Sequence, residues 1–440
     1  MTPDRTLNRE ILWLALPAFG SLVVEPLFLA LDSAMVGHLG IAELAGLGIA
    51  SSILQTIVGL MIFLAYSTTP AVARLFGSGD MGSAVSRGID GMWLALGMGA
   101  VLAVGGYFAS PLLVSLFGAS PAVAEQAEIY LSLSMWGLPA MLVVFAATGL
   151  LRGLQDTMSP LWIAGIGFAA NGLLNWLFMY GLGWGIAGSA AGTVVAQWGM
   201  VGAYVVIAAR LARRHGADAR PSRAGVHGTA KTGGWLFLRT VALRAGLLLT
   251  VAAATVLGTD ELAGWQIVFT IGSMAAFALD SLAIAAQALI GKQLGGGDEE
   301  SVRYVLRRTV AWGAMAGVVI GVLIAGLSPF IGLGFTGAWQ MSWLILPALI
   351  VMGVLQPIAG IVYVLDGVLM GANDSRYLAL AGAINLVPFV IYLLIVLMAQ
   401  PSGSWGLMWV ATAFYGVLMG MRWWTLGRRV RGTAWLRQAA

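Results

Sequence analysis

Cysteine is absent from all 440 residues, and charge is scarce: Asp, Glu, Lys and Arg make up 10% of the chain. The first absence excludes disulfides, thiolate metal ligands and cysteine nucleophiles. The second excludes a soluble globule, because soluble domains carry about 25% charged residues. Only three histidines occur, so no resident metal is expected. No nucleophile motif and no phosphate-binding loop is found, so neither an enzyme nor a cofactor is expected. The Gly-rich "FGSGD" (76–80) and "LGGGD" (294–298) follow apolar segments and read as turns. What fills the chain instead is apolar: 59% of residues are hydrophobic, and mean hydropathy is +0.89. The fold class expected is an all-α integral membrane protein.

A spanning helix needs about 20 apolar residues. Such segments fall at roughly 10–36, 44–73, 84–109, 122–150, 158–183, 186–213, 234–257, 262–291, 304–329, 341–370, 377–399 and 404–428. The first runs past signal-peptide length and lacks a small-residue cleavage site, so it reads as a membrane helix. With twelve spans and a cytoplasmic N-terminus, 21 of the 23 basic residues fall on the cytoplasmic side, from Arg5 and Arg9 to Arg422 and Arg437. The opposite loops hold acids such as Glu43, Asp260 and Glu261. This is the positive-inside pattern, and it gives both termini to the cytoplasm. The net charge of +4 is thereby explained by topology, and no nucleic-acid surface is expected. Arg239 and Arg244, both in the seventh segment, are left over; Arg239 is expected to snorkel to the cytoplasmic face.

The chain repeats itself with a shift of 218 residues. "LGIAELAG" (39–46) matches "LGTDELAG" (257–264), "FGSGD" matches "LGGGD", and "GLLRGLQDT" (149–157) matches "GVLMGANDS" (367–375). Six helices per half make the repeat parallel, with a pseudo-two-fold axis along the membrane normal. Two such lobes around a central cleft form a transporter architecture. The expected organisation is an N-terminal lobe over 1–212, a flexible cytoplasmic linker loop over 213–233, and a C-terminal lobe over 234–440.

Ionisable residues inside a membrane segment are costly and face a cavity or a partner. "EPLFLALDSAMVGHLG" (25–40) holds Glu25 and Asp32, seven residues apart and so on one helical face, about 10 Å apart along the axis at about 1.5 Å per residue. Pro26 between them removes a backbone donor and can kink the helix. Asn171 and Asn175 form an i, i+4 pair in the fifth segment. Shifted by 218, Glu25, Asp32, Asn171, Asn175 and Thr193 land on Leu243, Thr250, Phe389, Leu393 and Ala411; the second lobe has no copy. Its own polar set is Arg244, Asp280, Asp366 and Tyr363, and Arg244 is expected to pair with Asp280 or Asp366.

"EPLFLALDSAMVGHLG", "VARLFGSGD", "GLLRGLQDTMSPL", "NGLLNWLFMYGLGWGIAGSAAGT" and "AIAAQALIGKQLGGGD" together resemble the multidrug and toxic compound extrusion (MATE) transporters, most closely their DinF-like branch. The resemblance covers essentially the whole chain. It implies a V-shaped fold of two six-helix lobes and export of amphiphilic, often cationic drugs in exchange for protons or sodium ions. It also implies a cation site in the first lobe built from Asp32, Glu25, Asn171, Asn175 and Thr193. Asn175 stands where many relatives have aspartate, which removes a negative charge and favours protons over sodium. The expectation is therefore a proton-coupled multidrug antiporter, monomeric, in a prokaryotic inner membrane, with Asp32 titrating. Sodium coupling, and a flippase for a lipid-linked precursor using Arg239 and Arg244, are the alternatives; a channel or membrane enzyme ranks below them.

Overall fold

The computed structural model describes residues 3–437, with side chains from 5 to 436; the side chain of Arg437 lies outside the described residues. Among the described residues, twelve helices are long and apolar enough to cross a membrane. They are α1 (Arg5–Gly37), α2 (Ile41–Gly77), α3 (Met81–Ser115), α4 (Pro121–Gly153), α5 (Met158–Gly181) and α6 (Gly185–His215). The second set is α7 (Arg223–Leu257), α8 (Thr259–Gly295), α9 (Glu299–Thr336), α10 (Trp339–Gly371), α11 (Ser375–Ala399) and α12 (Gly403–Arg431). No strand occurs among the described residues. Each helix overlaps its expected segment and most run further. Lipid offers no partners to backbone groups, so the ladder is closed within the helix. The charged residues at the ends are also good helix formers that carry it beyond the apolar stretch. α1 continues through both Pro17 and Pro26.

The repeat now has physical content. In "LGIAELAG" and "LGTDELAG" the glutamate folds back over the glycine before its own helix. A Cβ on Gly40 or Gly258 would lie 2.3 or 2.2 Å from the Glu43 or Glu261 carboxylate. The aspartates that close "FGSGD" and "LGGGD" are helix caps. Asp80 accepts from the Ser83 N–H at 2.9 Å, and Asp298 accepts from Glu300 and Ser301 N–H at 3.0 and 3.2 Å. Hydrogen bonds from Ser83 and Ser301 hold these carboxyls below the usual range. Because the folded-state value is depressed, the caps are intact at neutral pH and lost as pH falls through it. Amide protection factors, taken against the intrinsic rate at each pH, should therefore fall at the starts of α3 and α9 under acid and stay constant around neutrality.

The chain divides into two compact units. One runs Leu16–Gly233; the other joins the start of α1, through Ala15, to everything from Gly234. This corrects the expected organisation twice. The first residues of α1 do not belong with the N-terminal half. Residues 213–233 are not a flexible linker either: α6 continues to His215 and α7 begins at Arg223. The segment between is tied to α3. Ser86 Oγ accepts from the Asp218 N–H at 2.9 Å, and the Trp93 indole donates to the Ala219 carbonyl at 3.0 Å. Asp90 accepts from the Ser222 N–H at 2.7 Å and its hydroxyl at 2.8 Å. The segment is exposed, yet these bonds fix its backbone against α3. A Cβ on Gly225 would fall 1.6 Å from Asp90 Oδ2. Gly225→Ala should accordingly cost about 1–3 kcal/mol, as overpacking does, read as a lower thermal midpoint in detergent.

Candidate functional site

The unit Leu16–Gly233 is built around Asp32, which is 3% exposed. Its Oδ1 accepts from Asn175 Nδ2 at 2.8 Å and from the Ser189 hydroxyl at 2.6 Å. Its Oδ2 accepts from the Tyr130 hydroxyl at 3.3 Å. Four helices, α1, α4, α5 and α6, thus meet on one carboxylate. None of its partners among the described residues is a cation. Buried charges are usually paired; the groups around this carboxyl are neutral dipoles.

Local sequence explains the convergence. Asn171 and Asn175 lie one turn apart on α5, as do Ser189 and Thr193 on α6, so each pair shares a face. Asn171, Asn175 and Ser189 are buried. Asn171 Oδ1, Asn175 Oδ1 and Thr193 Oγ1 are enclosed and have no hydrogen-bond partner among the described residues. Just past Asn175, α5 widens into a π-helical turn, Leu177–Gly181; such turns recur at functional sites. Within it, Tyr180 donates to the Met35 carbonyl at 2.5 Å and ties down the end of α1. α6 approaches α5 at Gly192, where a Cβ would lie 2.2 Å from Asn175 Oδ1 and 2.9 Å from its backbone nitrogen. Gly192→Ala should push Asn175 off Asp32 and abolish transport; fluorescence-detected size exclusion separates this from misfolding.

The structure brings together two of the expected residues, Asp32 and Asn175. Asn171 and Thr193 lie one turn from the groups that touch Asp32. Glu25 does not join: it is half-buried and two helical turns away, and it makes no hydrogen bond or ion pair among the described residues. Tyr130 and Ser189 are additions. Ser189 had a legible signal, being four residues before Thr193 in "GSAAGT"; Tyr130 had none.

Under the 218-residue shift, the centre maps onto Ala348, Phe389, Leu393, Leu407 and Ala411, all in the apolar core of the other unit. Only Thr250 is polar there, and it donates to the Leu247 carbonyl of its own helix. The same backbone framework therefore holds a polar centre in one unit and packed hydrocarbon in the other.

A profile of the MatE family matches residues 17–177 and 241–396. The chain belongs to the MatE family. Its relatives include the chloroplastic protein DETOXIFICATION 44 of Arabidopsis thaliana, 29% identical over 96% of this chain and 83% of that protein. Another is the DNA damage-inducible protein F of Escherichia coli K12, 27% identical over 95% of this chain and 92% of that one. The fold matches the Vibrio cholerae MATE transporter VcmN in its bent form, with a TM-score of 0.88, 19% identity and 98% of each chain covered. MatE proteins are multidrug and toxic compound extrusion transporters rather than enzymes, and this one is a multi-pass membrane protein.

The second polar centre of this MatE chain lies in the unit that begins at Gly234, and it corrects two expectations. Asp366 pairs with Arg239 and with Arg422, not with Arg244. Arg239 Nε donates to Asp366 Oδ1 at 3.3 Å and its terminal nitrogen contacts Oδ2; Arg422 contacts Oδ2 at 3.1 Å. All three are buried, whereas Arg244 is exposed. Arg239 therefore does not snorkel, and Arg422 is not simply a cytoplasmic charge. Five residues separate Arg239 from Arg244, about 500° of helix, so one faces inward while the other faces out. Asp280 is half-buried and acts electrostatically on Tyr363, as do Arg239 and Arg422. Asp366 and Arg422 map by the shift onto Thr148 and Tyr204, whose hydroxyls are hydrogen-bonded at 2.9 Å. The fourth and sixth helices of each half are thus tied at one equivalent point, by a neutral bond in one unit and an ion pair in the other.

Proposed function

We propose that this transporter exports small amphiphilic or cationic drugs in exchange for protons, with Asp32 as the group that alternates between them. The observation that carries the reading is a buried carboxylate whose three partners are all neutral. A proton neutralises it, and so does a bound organic cation; each excludes the other, which is the thermodynamic basis of exchange. The shell also fits both protonation states. Ionised, Asp32 accepts three hydrogen bonds. Protonated, it donates one, and the Ser189 and Tyr130 hydroxyls can turn to receive it. Asn175 can do so by an amide flip, which brings its unpartnered oxygen to the carboxyl. Protonation from outside then releases the cation, and rocking of the two lobes returns the site to the cytoplasm. Pro26, six residues before Asp32, removes a backbone donor and lets α1 bend locally beside the site. The basic residues support cytoplasmic termini in a prokaryotic inner membrane.

The test is proton release. Ethidium added to the purified protein in weak buffer should liberate a proton, and Asp32→Asn should bind without releasing one. Release from the variant would overturn the assignment. Ser189→Ala removes one donor from the ionised form and should shift the pH profile of ethidium binding to higher pH, with Ser189→Thr restoring it.

Sodium coupling is a second reading, favoured by the enclosed oxygens of Asn171, Asn175 and Thr193. It requires sodium binding, measured calorimetrically, that Thr193→Ala weakens; the proton reading expects no sodium-dependent heat. The flippase reading loses support because Arg239, one of the two basic residues it needs, is committed to Asp366.

A further inference from the structure

The boundary between the two units crosses the chain twice, after Ala15 in α1 and after Gly233 in α7. These points are 218 residues apart, so the crossing obeys the internal repeat. The first helix of each half begins in the other half's unit.

Both beginnings are firmly held there. In α1, Leu7, Ile11, Leu14 and Ala15 are buried. Asn8 Oδ1 accepts from Arg308 Nε at 2.8 Å and from the Trp312 indole at 3.0 Å, and Glu10 pairs with Lys292 at 3.4 Å. At the start of α7, Asp90 accepts both bonds from Ser222, Thr229 is buried, and a Cβ on Gly233 would meet the Phe63 ring at 2.6 Å. The anchors Asp90 and Arg308 are themselves 218 residues apart. They hold by opposite chemistry, a carboxylate that accepts and a guanidinium that donates, but at the same place in the fold, on the third helix of each half.

Each crossing also falls beside a weak point of its helix. Pro17 follows the first and cannot complete its backbone hydrogen bond. Gly233 and Gly234 form the second, and glycine is the poorest helix former after proline. We infer that Asp90 and Arg308 are positioning residues of the transport cycle: they clamp two reciprocal straps, and the units swivel about Ala15–Pro17 and Gly233–Gly234. The clamps stay closed while the hinges bend. Each unit then carries the root of the other's first helix, so movement of one is transmitted to the helix that bears Asp32. This rests on the exporter reading only in requiring that the units move, and it is independent of which ion is coupled.

The absence of cysteine makes the test direct. Spin labels at Arg9→Cys and Arg307→Cys, both exposed positions, report on one clamp. Labels at Arg9→Cys and Ser78→Cys report across its hinge. Distances are read by double electron–electron resonance at acid and neutral pH, with and without ethidium. The 9–307 distance should stay constant while the 9–78 distance changes. A 9–307 distance that moves as much as 9–78 means the strap detaches; a 9–78 distance fixed under every condition means there is no hinge. Either result overturns the proposal. Gly234 has open space where a Cβ would go, so Gly234→Ala changes helix stiffness without a clash. Gly234→Ala combined with Pro17→Ala should lower the maximal export rate several-fold and leave ethidium affinity unchanged. An unaltered rate in vesicles where the wild type exports also overturns it. Wild-type vesicles that fail to export count against the exporter reading alone, and the spin-label distances still decide the hinge.

Discussion

Asp32→Asn yields a protein that folds, reaches the membrane and does not exchange drug for protons. The folding half of this result follows from the shell. An amide keeps an acceptor for Asn175 and Ser189, and its NH2 faces a Tyr130 hydroxyl that can turn to accept. No buried polar group is left unpaired, so stability should fall by no more than about 1 kcal/mol, the scale of one altered hydrogen bond. The functional half follows from charge. Asparagine neither binds nor releases a proton, and it carries no negative charge for a cation to neutralise. Asp32→Ala is different in kind. It strands the buried Ser189 and Tyr130 hydroxyls, each costing about 1–3 kcal/mol when unsatisfied, leaves Asn175 Nδ2 only its 3.4 Å bond to Ser189 Oγ, and should express poorly. Thermal midpoints of the two variants, measured beside their export rates, separate loss of coupling from loss of fold.

Asp366→Leu should be the most destabilising single change in the second unit. It leaves Arg239 and Arg422 buried side by side without their shared carboxylate. Removing one partner of a buried ion pair costs about 3–5 kcal/mol, and two cations then repel each other. Little folded protein is expected. The repeat supplies the rescue. Thr148 and Tyr204 make the equivalent tie without charge, and Ser21, the counterpart of Arg239, donates to the Pro17 carbonyl of its own helix. The triple variant Arg239→Ser, Asp366→Thr, Arg422→Tyr should therefore recover folding. Recovery of transport as well would show that the ion network serves structure alone. Folding without transport would show that its charge matters to the cycle. Yields by fluorescence-detected size exclusion give the first answer and vesicle export the second.

The spans, their number and the repeat were legible because lipid imposes length and apolarity on every crossing segment. Asp32 stood out because a carboxylate in such a segment is expensive. Tyr130 did not, since an aromatic hydroxyl is cheap at a helix surface and its spacing points at nothing, and Ser189 was visible only through its i, i+4 relation to Thr193. The Arg239–Asp366–Arg422 network was misread for a related reason. α7 is apolar all round, so nothing in its periodicity shows which arginine faces inward. Arg422 lay close enough to Arg428, Arg429 and Arg431 to pass as a topological charge. The reciprocal straps were hidden because residues 213–233 are polar and Gly-rich, and composition alone does not reveal that Asp90 and Ser86 satisfy them.

The central claim is that one buried carboxylate exchanges a proton for an organic cation. Ethidium export from proteoliposomes, driven in separate experiments by a proton gradient and by a sodium gradient, tests it most directly. Export under the proton gradient alone, absent in Asp32→Asn vesicles of equal protein content, is the result this account predicts. Export driven by sodium without a proton gradient, or proton-driven export that persists in Asp32→Asn, would contradict it.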